Sequence, residues 1–432
     1  MSIVPTSNSS LNQWLSYLEQ LHSQEIDLGL DRIKQVAERL DTDWDAVKIV
    51  VGGTNGKGST CAMLESIYLS AGYQVGLYTS PHLIHFNERI RLNGSQASDE
   101  QIVEQLDRIE KARGEISLSY FEYTTLAAIL LFKATQTQVA IFEVGLGGRL
   151  DAVNLIDADC SIITSIAIDH VSYLGDTREQ IAWEKAHIYR KGKPAICADP
   201  EPPQTLIDYA KEIGADLQLF GRDFNFSGDQ VQWTFADRHQ RRNALAYPSL
   251  RGANQLINAA AALAAIGALK MSVPVPNQSI RQGLLQVDLP GRFQILPGQP
   301  TTVLDVAHNP HAAAVLQHNL HVMSYFPYTT AVFAMLNDKD ADEVIKTLAK
   351  SIDYWYCATL SGGRGLSGQE LADKINSLIP KDKDGLPQVE VFDAPRLAYD
   401  AAKERSQLED RIVVFGSFLT VADVLEHLQS SN

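Results

Sequence analysis

The chain has 432 residues, of which 45% are hydrophobic and 21% charged, so it is long enough for two or three domains with sizeable cores. Its formal net charge of −15, with no long basic stretch, excludes the binding of nucleic acid through a general electrostatic field. No apolar run approaches the roughly 20 residues that span a bilayer, which excludes a membrane-spanning helix.

The N-terminus and the cysteines predict the compartment. The first ten residues contain neither the basic nor the apolar segment of a secretory signal, so we expect a cytoplasmic protein. The cysteines lie far apart, without a CxxC spacing or a Cys/His pairing, which argues against a zinc site and a disulfide framework. We also expect a monomer whose anionic ligands are held by a few local cations and a metal ion. The cysteines are Cys61, Cys160, Cys197 and Cys357.

Two short helices are predicted ahead of the first strand. Apolar residues recur at helical spacing from Leu11 to Leu21 behind the capping residue Ser10, and a second helix follows as far as Leu40. Only about 45 residues precede the first strand, which leaves no room there for a further domain. The loop between the two helices contains Asp27, Leu28, Gly29 and Leu30.

A glycine-rich loop follows the apolar strand predicted at residues 49–51, and a helical pattern follows the loop. This arrangement binds phosphate, because glycine lets backbone N–H groups approach phosphate oxygens and the helix N-terminus adds positive potential. We therefore predict ATP binding, with Lys57 at the β- and γ-phosphates and a hydroxyl of Ser59 or Thr60 on Mg²⁺. The loop residues are Thr54, Asn55, Gly56, Lys57, Gly58, Ser59 and Thr60.

The spacing of this loop departs from the standard P-loop, since Gly58 separates Lys57 from Ser59. A tight strand-to-helix turn that carries a surface lysine would contain the same residues. The strand before the loop and the helix after it favour the phosphate site, because that is the context such a site requires.

Three further strands end in polar residues that suit a metal site at one edge of a parallel sheet. A strand over residues 74–79 leads to Ser80, although a Ser-Pro pair alone more often opens a turn. The strand over residues 139–144 contains Glu143, and a buried carboxylate is costly without a partner, so we expect Mg²⁺ beside it. The strand predicted over residues 160–170 ends in His170, although imidazole is not a favoured ligand of Mg²⁺.

Two segments between these strands are candidates for substrate binding. Aromatic residues open a long apolar helix and would suit a planar ligand, with core packing as an equal alternative. A glycine-rich loop follows the strand that contains Glu143 and is predicted to reach the substrate. The candidate residues are Ser119, Tyr120, Phe121 and Glu122 in the first segment and Arg149, Leu150 and Asp151 in the second.

The remainder of the chain predicts a small antiparallel ribbon and then a second α/β domain. Aromatic residues alternate between positions 224 and 235, which is typical of a ribbon. Beyond a predicted hinge at residues 297–300, strands alternate with helices, which favours a parallel sheet of Rossmann-like shape. We predict an α/β fold with a P-loop-type, mostly parallel ATPase domain at residues 1–296, which contains the ribbon, and a Rossmann-like domain at residues 297–432.

The chain contains three specific motifs: Gly-Thr-Asn-Gly-Lys-Gly-Ser at 53–59, Glu-Val-Gly-Leu-Gly-Gly-Arg-Leu-Asp at 143–151 and Asp-Val-Ala-His-Asn-Pro at 305–310. They resemble the motifs of the folylpolyglutamate synthase/dihydrofolate synthase family within the Mur ligase superfamily. The resemblance implies that ATP phosphorylates a pterin-linked carboxylate and that the amine of L-glutamate attacks the acyl phosphate. The implied products are an amide, ADP and phosphate, with two Mg²⁺ ions at the site.

The resemblance also implies roles for single residues. Residues 27–30 and 119–122 would bind dihydropteroate, and Lys185, in a helix predicted over residues 180–188, would be carbamylated by CO₂ and bind metal. The implied catalytic residues are Lys57, Glu143, His170 and Lys185. The implied metal ligands are Ser59, Ser80, Glu143, His170 and Lys185. The implied ATP contacts outside the loop are Asn258, Arg292, Asp305 and His308. The sequence departs from the family pattern at Asn254, where a histidine is usual.

We expect both dihydropteroate and tetrahydrofolate to be substrates. A related ligase acting on another carboxylate, such as a peptide or a cell-wall precursor, is an alternative. A P-loop switch that binds ATP without turnover is a second alternative, although such a switch would have little use for Glu143 and His170.

Overall fold

The computed structural model describes residues 4–22, 27–229, 231–238, 240–379 and 388–430, and it divides into two compact units. The first unit comprises Met1–Ser249 and Leu256–Val287, and the second comprises Leu250–Gln255 and Asp288–Asn432. This division falls earlier than the boundary proposed after residue 296, because residues Gln294–Leu296 pair with strand Thr301–Leu304 of the second unit.

The first unit alternates strands and helices. Its described helices are α1 (Leu11–Leu21), α2 (Asp31–Ala37), α3 (Lys57–Ser70), α4 (Asp99–Arg113), α5 (Tyr120–Ala134), α6 (Val171–Leu174), α7 (Arg178–Ala186), α8 (Gln204–Ile213), α9 (Gln255–Ala268) and α10 (Asn277–Gln286). Its described strands are β1 (Val47–Gly52), β2 (Val75–Tyr78), β3 (Ile90–Leu92), β4 (Ser95–Gln96), β5 (Val139–Glu143), β6 (Cys160–Ile163), β7 (Pro194–Cys197), β8 (Asp216–Leu219), β9 (Phe224–Gly228), β10 (Trp233–Asp237) and β11 (Arg241–Leu245).

An eight-stranded sheet with the order β4-β3-β2-β5-β1-β6-β7-β8 organises this unit. Strands β2, β5, β1, β6, β7 and β8 are parallel, whereas β3 is antiparallel to β2 and β4 is antiparallel to β3. Strand β1 lies between β5 and β6, with Val51 opposite Glu143 on one side and Ile162 on the other. The carboxyl ends of these three strands therefore meet at one edge of the sheet, where ligands of open α/β sheets bind.

Burial of both faces of the sheet explains the apolar strands and helices of this unit. The residues of β5 are all buried, as are most residues of α5 and α9. Continuous apolar sequence of this kind is typical of strands and helices that are covered on every side. Ser10 caps α1 through a capping box, as the sequence predicts.

The predicted ribbon is a separate three-stranded antiparallel sheet with the order β11-β10-β9. Trp233 and Phe235 of its central strand are fully buried, whereas their neighbours are more exposed. This alternation confirms the antiparallel insertion.

The second unit has its own parallel sheet and confirms the predicted Rossmann-like domain. Its described strands are β12 (Gln294–Leu296), β13 (Thr301–Leu304), β14 (Thr329–Phe333), β15 (Tyr354–Ala358), β16 (Gln388–Phe392) and β17 (Arg411–Phe415). Its described helices are α11 (Pro310–Val322), α12 (Ala341–Leu348), α13 (Gly368–Leu378), α14 (Pro395–Arg405) and α15 (Phe418–Ser430). The sheet order is β12-β13-β17-β14-β15-β16, and β12 alone among these described strands is antiparallel to its neighbour.

Two further observations concern membrane helices and cysteines. Among the described helices, none is both long enough and apolar enough to cross a bilayer. The four cysteines are free and buried.

Candidate active site

The glycine-rich loop connects the end of β1 to the N-terminus of α3, as the sequence predicts. Gly53 has a φ of 138°, and a Cβ there would overlap the side chain of Thr164. Gly56 has a φ of 90° and precedes the first helical residue, Lys57. Both positions need glycine, because L-residues are strained at such φ values. The loop therefore ends at a helix N-terminus, whose backbone N–H groups are suited to bind phosphate.

The segment after β6 fixes the shape of this loop. Backbone N–H groups of Thr54 and Asn55 donate to the carbonyl oxygen of Ser165 at 2.7 Å and to its hydroxyl at 3.0 Å. The hydroxyl of Thr164 donates to the carbonyl oxygen of Asn55 at 2.7 Å. The prediction that a strand runs as far as His170 was therefore wrong, since β6 ends at Ile163 and the chain then turns to bind the loop.

The two predicted hydroxyls of the loop differ in their surroundings. The Thr60 hydroxyl donates to the Gly56 carbonyl oxygen at 3.0 Å and the side chain is fully buried. This bond is the one a helical threonine commonly makes to the carbonyl four residues earlier. Ser59, in the same first turn of α3, is 3% exposed, and the choice between the two hydroxyls as a metal ligand stays a prediction.

Two lysine amines lie on the carbonyl groups of the same loop. Lys57 Nζ donates to the Thr54 carbonyl oxygen at 3.3 Å, and Lys185 Nζ donates to the Gly53 carbonyl oxygen at 3.1 Å. Lys185 is 4% exposed, and burial, followed by repulsion from Lys57, lowers the pKa of its amine to about 7. The carboxylate of Asp169 opposes this shift. A large fraction of Lys185 is therefore neutral near pH 7.

The predicted metal-binding carboxylate lies at the same sheet edge. Glu143 is the last residue of β5, is 5% exposed, and accepts a hydrogen bond from the backbone N–H of Ser80 at 3.2 Å. The structure thus brings Ser80 and Glu143 together. His170 precedes α6 with a φ of 52°, and its Nε2 lies 3.9 Å from Asp169 Oδ1.

The side chains predicted to bind metal offer mainly oxygen atoms, which are the ligands that Mg²⁺ prefers. Within the described ranges, no three His, Cys, Asp or Glu side chains are grouped closely enough to hold a metal ion. The predicted set relies on only two such side chains, Glu143 and His170, and on hydroxyls and a modified lysine for the rest. Carboxylate and hydroxyl oxygens suit Mg²⁺, and the protonated amine of an unmodified lysine cannot be a ligand.

Three separate segments form what we call the acceptor region: residues 27–30, 119–122 and 145–151. The backbone N–H of Gly29 donates to the carbonyl oxygen of Leu150 at 3.2 Å. The ring of Phe121 lies so close to Gly145 that a Cβ there would be 2.6 Å from the ring. All three predicted substrate segments therefore come together.

The glycine loop of the acceptor region is shaped by Asp151, whose side chain turns into the loop. Asp151 is 2% exposed and accepts backbone N–H groups of Leu146 and Val153 at 2.8 and 2.9 Å. Burial raises its pKa to about 6. A Cβ on Gly148 would lie 2.7 Å from the Glu184 carbonyl oxygen, so the loop packs directly on α7, the helix that carries Lys185.

The other acceptor-region residues have defined partners. Ser119 and Glu122 form the capping box of α5, and the Glu122 carboxylate accepts the Ser119 backbone N–H at 2.7 Å. Arg149 Nη2 lies 3.0 Å from Glu184 Oε1, and its guanidinium lies 4.8 Å from the ring centre of Trp183. Tyr120 faces the guanidinium of Arg89, at 5.5 Å from its ring centre.

Asn258 lies against the loop that leads to Lys57, although it comes about 200 residues later in the chain. It is buried on α9, and a Cβ on Gly56 would be 2.5 Å from its Oδ1. The nucleotide region, as we use the term, consists of residues 53–60 with Thr164, Ser165 and Asn258.

In the second unit, the three predicted nucleotide contacts cluster at the end of β13. The Asp305 carboxylate accepts backbone N–H groups of Phe293 at 3.0 Å and Ala307 at 2.8 Å. The Arg292 guanidinium lies 4.8 Å from the ring centre of Phe418, and the His308 ring centre lies 6.1 Å from the same ring.

The sequence interpretation missed four residues that support these regions. Phe418 lies in the Gly-Ser-Phe run at 416–418, and its aromatic side chain was the available signal. Thr164 and Ser165 were taken as strand residues, and Arg32 gave no local signal. These four are Arg32, Thr164, Ser165 and Phe418.

The fold and the nucleotide region together define a ligase of the Mur type. The Mur ligase middle domain matches residues 51–266, which contain the glycine-rich loop, Glu143 and Lys185. The Mur ligase, glutamate ligase domain matches residues 291–418, which contain Arg292, Asp305 and His308.

Similarity to individual relatives identifies the family within this class of ligases. The chain is 45% identical to the dihydrofolate synthase/folylpolyglutamate synthase of Escherichia coli over 98% of this chain and 96% of that protein. Its structure matches E. coli FolC in complex with DHPP and ADP with a TM-score of 0.93 and 44% identity, covering 99% of this chain and all of that one. It also matches a bifunctional folylpolyglutamate synthase/dihydrofolate synthase with Mn, AMPPNP and L-glutamate bound, with a TM-score of 0.90, 42% identity, and coverage of 99% and 100%. The chain belongs to the dihydrofolate synthase/folylpolyglutamate synthase family.

Proposed function

We propose that the protein uses ATP to join L-glutamate to a folate-type carboxylic acid. It converts dihydropteroate to dihydrofolate and extends tetrahydrofolate to its polyglutamates. The observation that carries this proposal is the placement of Lys57 and Lys185 on the carbonyl groups of one phosphate-binding loop, next to the sheet edge that ends in Glu143. Matching structures bound to ADP, and to Mn, AMPPNP and L-glutamate, support the same chemistry.

The reaction has two steps. An oxygen of the acceptor carboxylate bonds to the γ-phosphorus as the bond to the β-phosphate oxygen breaks, which gives an acyl phosphate and ADP. The nitrogen of L-glutamate then bonds to the acyl carbon, phosphate leaves with the bonding electrons, and the nitrogen loses a proton. Lys57 and the backbone N–H groups of the loop stabilise the charge on the transferring phosphoryl group.

The residues proposed to hold two divalent ions are Ser59, Ser80, Glu143, His170 and carbamylated Lys185. Bound ions would offset phosphate charge. Carbamylation forms a bond between Nζ and the carbon of CO₂ with loss of a proton, so it needs the neutral amine that burial of Lys185 favours. A ¹³C resonance of a carbamate in protein equilibrated with ¹³CO₂, absent from Lys185→Ala, would test the modification.

The remaining assignments concern the acceptor and the second unit. The ring of Phe121 in the acceptor region offers an apolar face for a planar bicyclic head group. Asn258, Arg292, Asp305 and His308 are proposed to contact ATP. A cytoplasmic location and a monomeric state stay predictions from the sequence.

A phosphate-release assay tests the function. The protein is supplied with ATP, Mg²⁺ and L-glutamate, and either dihydropteroate or tetrahydrofolate is added in separate reactions. We expect phosphate release with each acceptor and none when L-glutamate is omitted. The absence of phosphate release with both acceptors would overturn the proposal. Phosphate release with only one acceptor would restrict the proposal to that activity.

A further inference from the structure

Arg32 joins two of the three segments of the acceptor region. Its Nη1 lies 2.7 Å from Asp27 Oδ2, and its Nη2 donates to the Asp27 carbonyl oxygen at 2.9 Å. The same guanidinium donates from Nε and Nη2 to Glu122 Oε2, each at 3.3 Å. A planar group with five donors can serve two carboxylates at once, which the single amine of lysine does less well.

Both partners of Arg32 are themselves tied to the segments they belong to. The Glu122 side chain is 3% exposed, and its Oε2 also accepts the Ser119 backbone N–H at 2.7 Å. Asp27 Oδ2 also lies 2.9 Å from His22 Nε2, and His22 Nδ1 lies 2.8 Å from the Ser117 hydroxyl. Arg32 is therefore the cation between two carboxylates that come from segments about 90 residues apart.

Removal of this cation would act on both segments. Asp27 and Glu122 carry like charges and would repel each other without Arg32. Glu122 Oε1 is buried and has no hydrogen-bond partner among the described residues, so loss of the guanidinium would leave the whole carboxylate poorly compensated. None of the described hydrogen bonds of Arg32 involves the nucleotide region.

We propose that Arg32 is a positioning residue that holds residues 27–30 against the start of α5 and thereby sets the affinity for the folate-type acceptor. This inference rests on the proposed function. We expect Arg32 to affect the binding of the acceptor and not that of ATP. It joins segments of the acceptor region, and its described hydrogen bonds do not reach the phosphate-binding loop.

The test compares Michaelis constants in Arg32→Ala and Arg32→Lys. For Arg32→Ala, we expect KM for dihydropteroate and for tetrahydrofolate to rise roughly 30-fold, with KM for ATP within about twofold of wild type. For Arg32→Lys, we expect a smaller rise of about fivefold, because a lysine reaches one carboxylate but not both. A matching loss of affinity in an equilibrium titration with dihydropteroate would support the same conclusion.

Arg39→Ala is the matched control. Arg39 follows α2 and its Nη1 donates to the carbonyl oxygens of Ala112 and Arg113 at 2.9 and 3.0 Å, so it ties the same helix to α4 outside the acceptor region. We expect its KM values to stay at wild type and its Tm to fall less than that of Arg32→Ala, because Arg39 is exposed and no buried carboxylate loses its partner. Assays of both variants well below their Tm values separate an effect on the acceptor from a general effect on stability.

A double-mutant cycle with Asp27→Asn makes the test sharper. Because the substitution removes one of the two repelling charges, Arg32→Ala should raise KM for dihydropteroate less in that background than in wild type. Additive effects of the two substitutions on KM for dihydropteroate would overturn the proposed role of Arg32. An equal rise of KM for ATP and for the acceptor in Arg32→Ala would also overturn it. An unchanged acceptor KM in an active Arg32→Ala enzyme would defeat this inference alone. If the wild-type enzyme released no phosphate with either acceptor, the proposed function would be overturned, and this inference with it.

Discussion

The nucleotide region and the acceptor region are built in different ways. The nucleotide region is mostly one continuous piece of chain, in which β1, the loop and α3 follow one another. The acceptor region consists of three pieces that meet only through tertiary contacts, such as Gly29 with Leu150 and Phe121 with Gly145. A site made from contiguous residues can be recognised in a sequence, whereas a site made from distant segments depends on contacts that local patterns do not reveal.

The two regions also differ in charge. The nucleotide region presents the amine of Lys57, which suits an anionic phosphate chain. The acceptor region contains the carboxylates of Asp27, Glu122 and Asp151, which suit a head group rich in N–H donors. This contrast predicts that substitutions in one region change the kinetics of one substrate and spare those of the other.

Lys57→Ala should have the largest effect. We expect turnover to fall about a thousandfold, because the variant loses a fixed positive charge at the transferring phosphoryl group. The measurement is phosphate release at saturating substrates, with the Tm as a check on folding. Lys48→Ala is the control, since Lys48 lies at the other end of β1 and pairs with Asp43 at 3.3 Å. Near-wild-type turnover of Lys57→Ala would remove this residue from the mechanism.

Gly56→Ala should weaken ATP binding specifically. Gly56 has a φ of 90°, and the added Cβ would be 2.5 Å from Asn258 Oδ1. Gly72→Ala is the control, because Gly72 has a φ of 88° but no atom within 4 Å of the added Cβ. We expect both variants to lose about 1–2 kcal/mol of stability from backbone strain. Only Gly56→Ala should raise KM for ATP, by more than about tenfold. Equal KM values in the two variants would show that Asn258 does not matter to the loop.

Gly145→Ala should affect the other substrate. The added Cβ would be 2.6 Å from the Phe121 ring, whose retreat is limited by the buried Tyr78 ring 5.9 Å away. Overpacking of this kind costs about 1–3 kcal/mol, so we expect KM for the acceptor to rise about tenfold with KM for ATP unchanged. Gly363→Ala, where the added Cβ meets nothing within 4 Å, should leave both constants at wild type. A rise of KM for ATP instead would contradict the separation of the two regions.

The fold was predictable because its signals are local. Apolar β-branched runs at β1, β5 and β6 and the strand–helix alternation of the second unit are each visible over a few residues. The extent of β6 was not predictable in the same way. Thr164 favours strands by type, but its hydroxyl and that of Ser165 bind the backbone of Asn55, about 110 residues away.

The site was predictable to the extent that family motifs cover it. The loop residues and Glu143 carry physical signals of their own, namely glycine spacing and a carboxylate in an apolar strand. Arg32 carries none, because its role depends on the distance between Asp27 and Glu122, which exists only in the folded chain. The same holds for the hydrogen bonds that Asp151 accepts from its own loop, whereas its contact with substrate stays a prediction.

Asp151 provides the smallest predicted effect and the clearest dependence on pH. Burial raises its pKa from 3.8 to about 6, so the folded state binds the proton more tightly than the unfolded state. The associated stabilisation is complete below about pH 3.8 and is lost as the pH rises through 6. The free energy of unfolding of wild type minus that of Asp151→Asn should therefore increase by about 1 kcal/mol between pH 7 and pH 5.

Urea unfolding of both proteins at several pH values measures this difference, because other titrating groups contribute equally to both and cancel. Asp43→Asn is the control, since the Asp43 side chain is 95% exposed and its replacement should give a nearly constant difference from wild type. A difference for Asp151→Asn that is constant, or that grows as the pH rises, would show that the carboxylate is not desolvated in the loop. The nucleotide loop is held by neutral hydrogen bonds with Thr164 and Ser165. The difference in free energy of unfolding between wild type and Thr164→Val should therefore not depend on pH. The pH dependence of stability thus distinguishes the two regions.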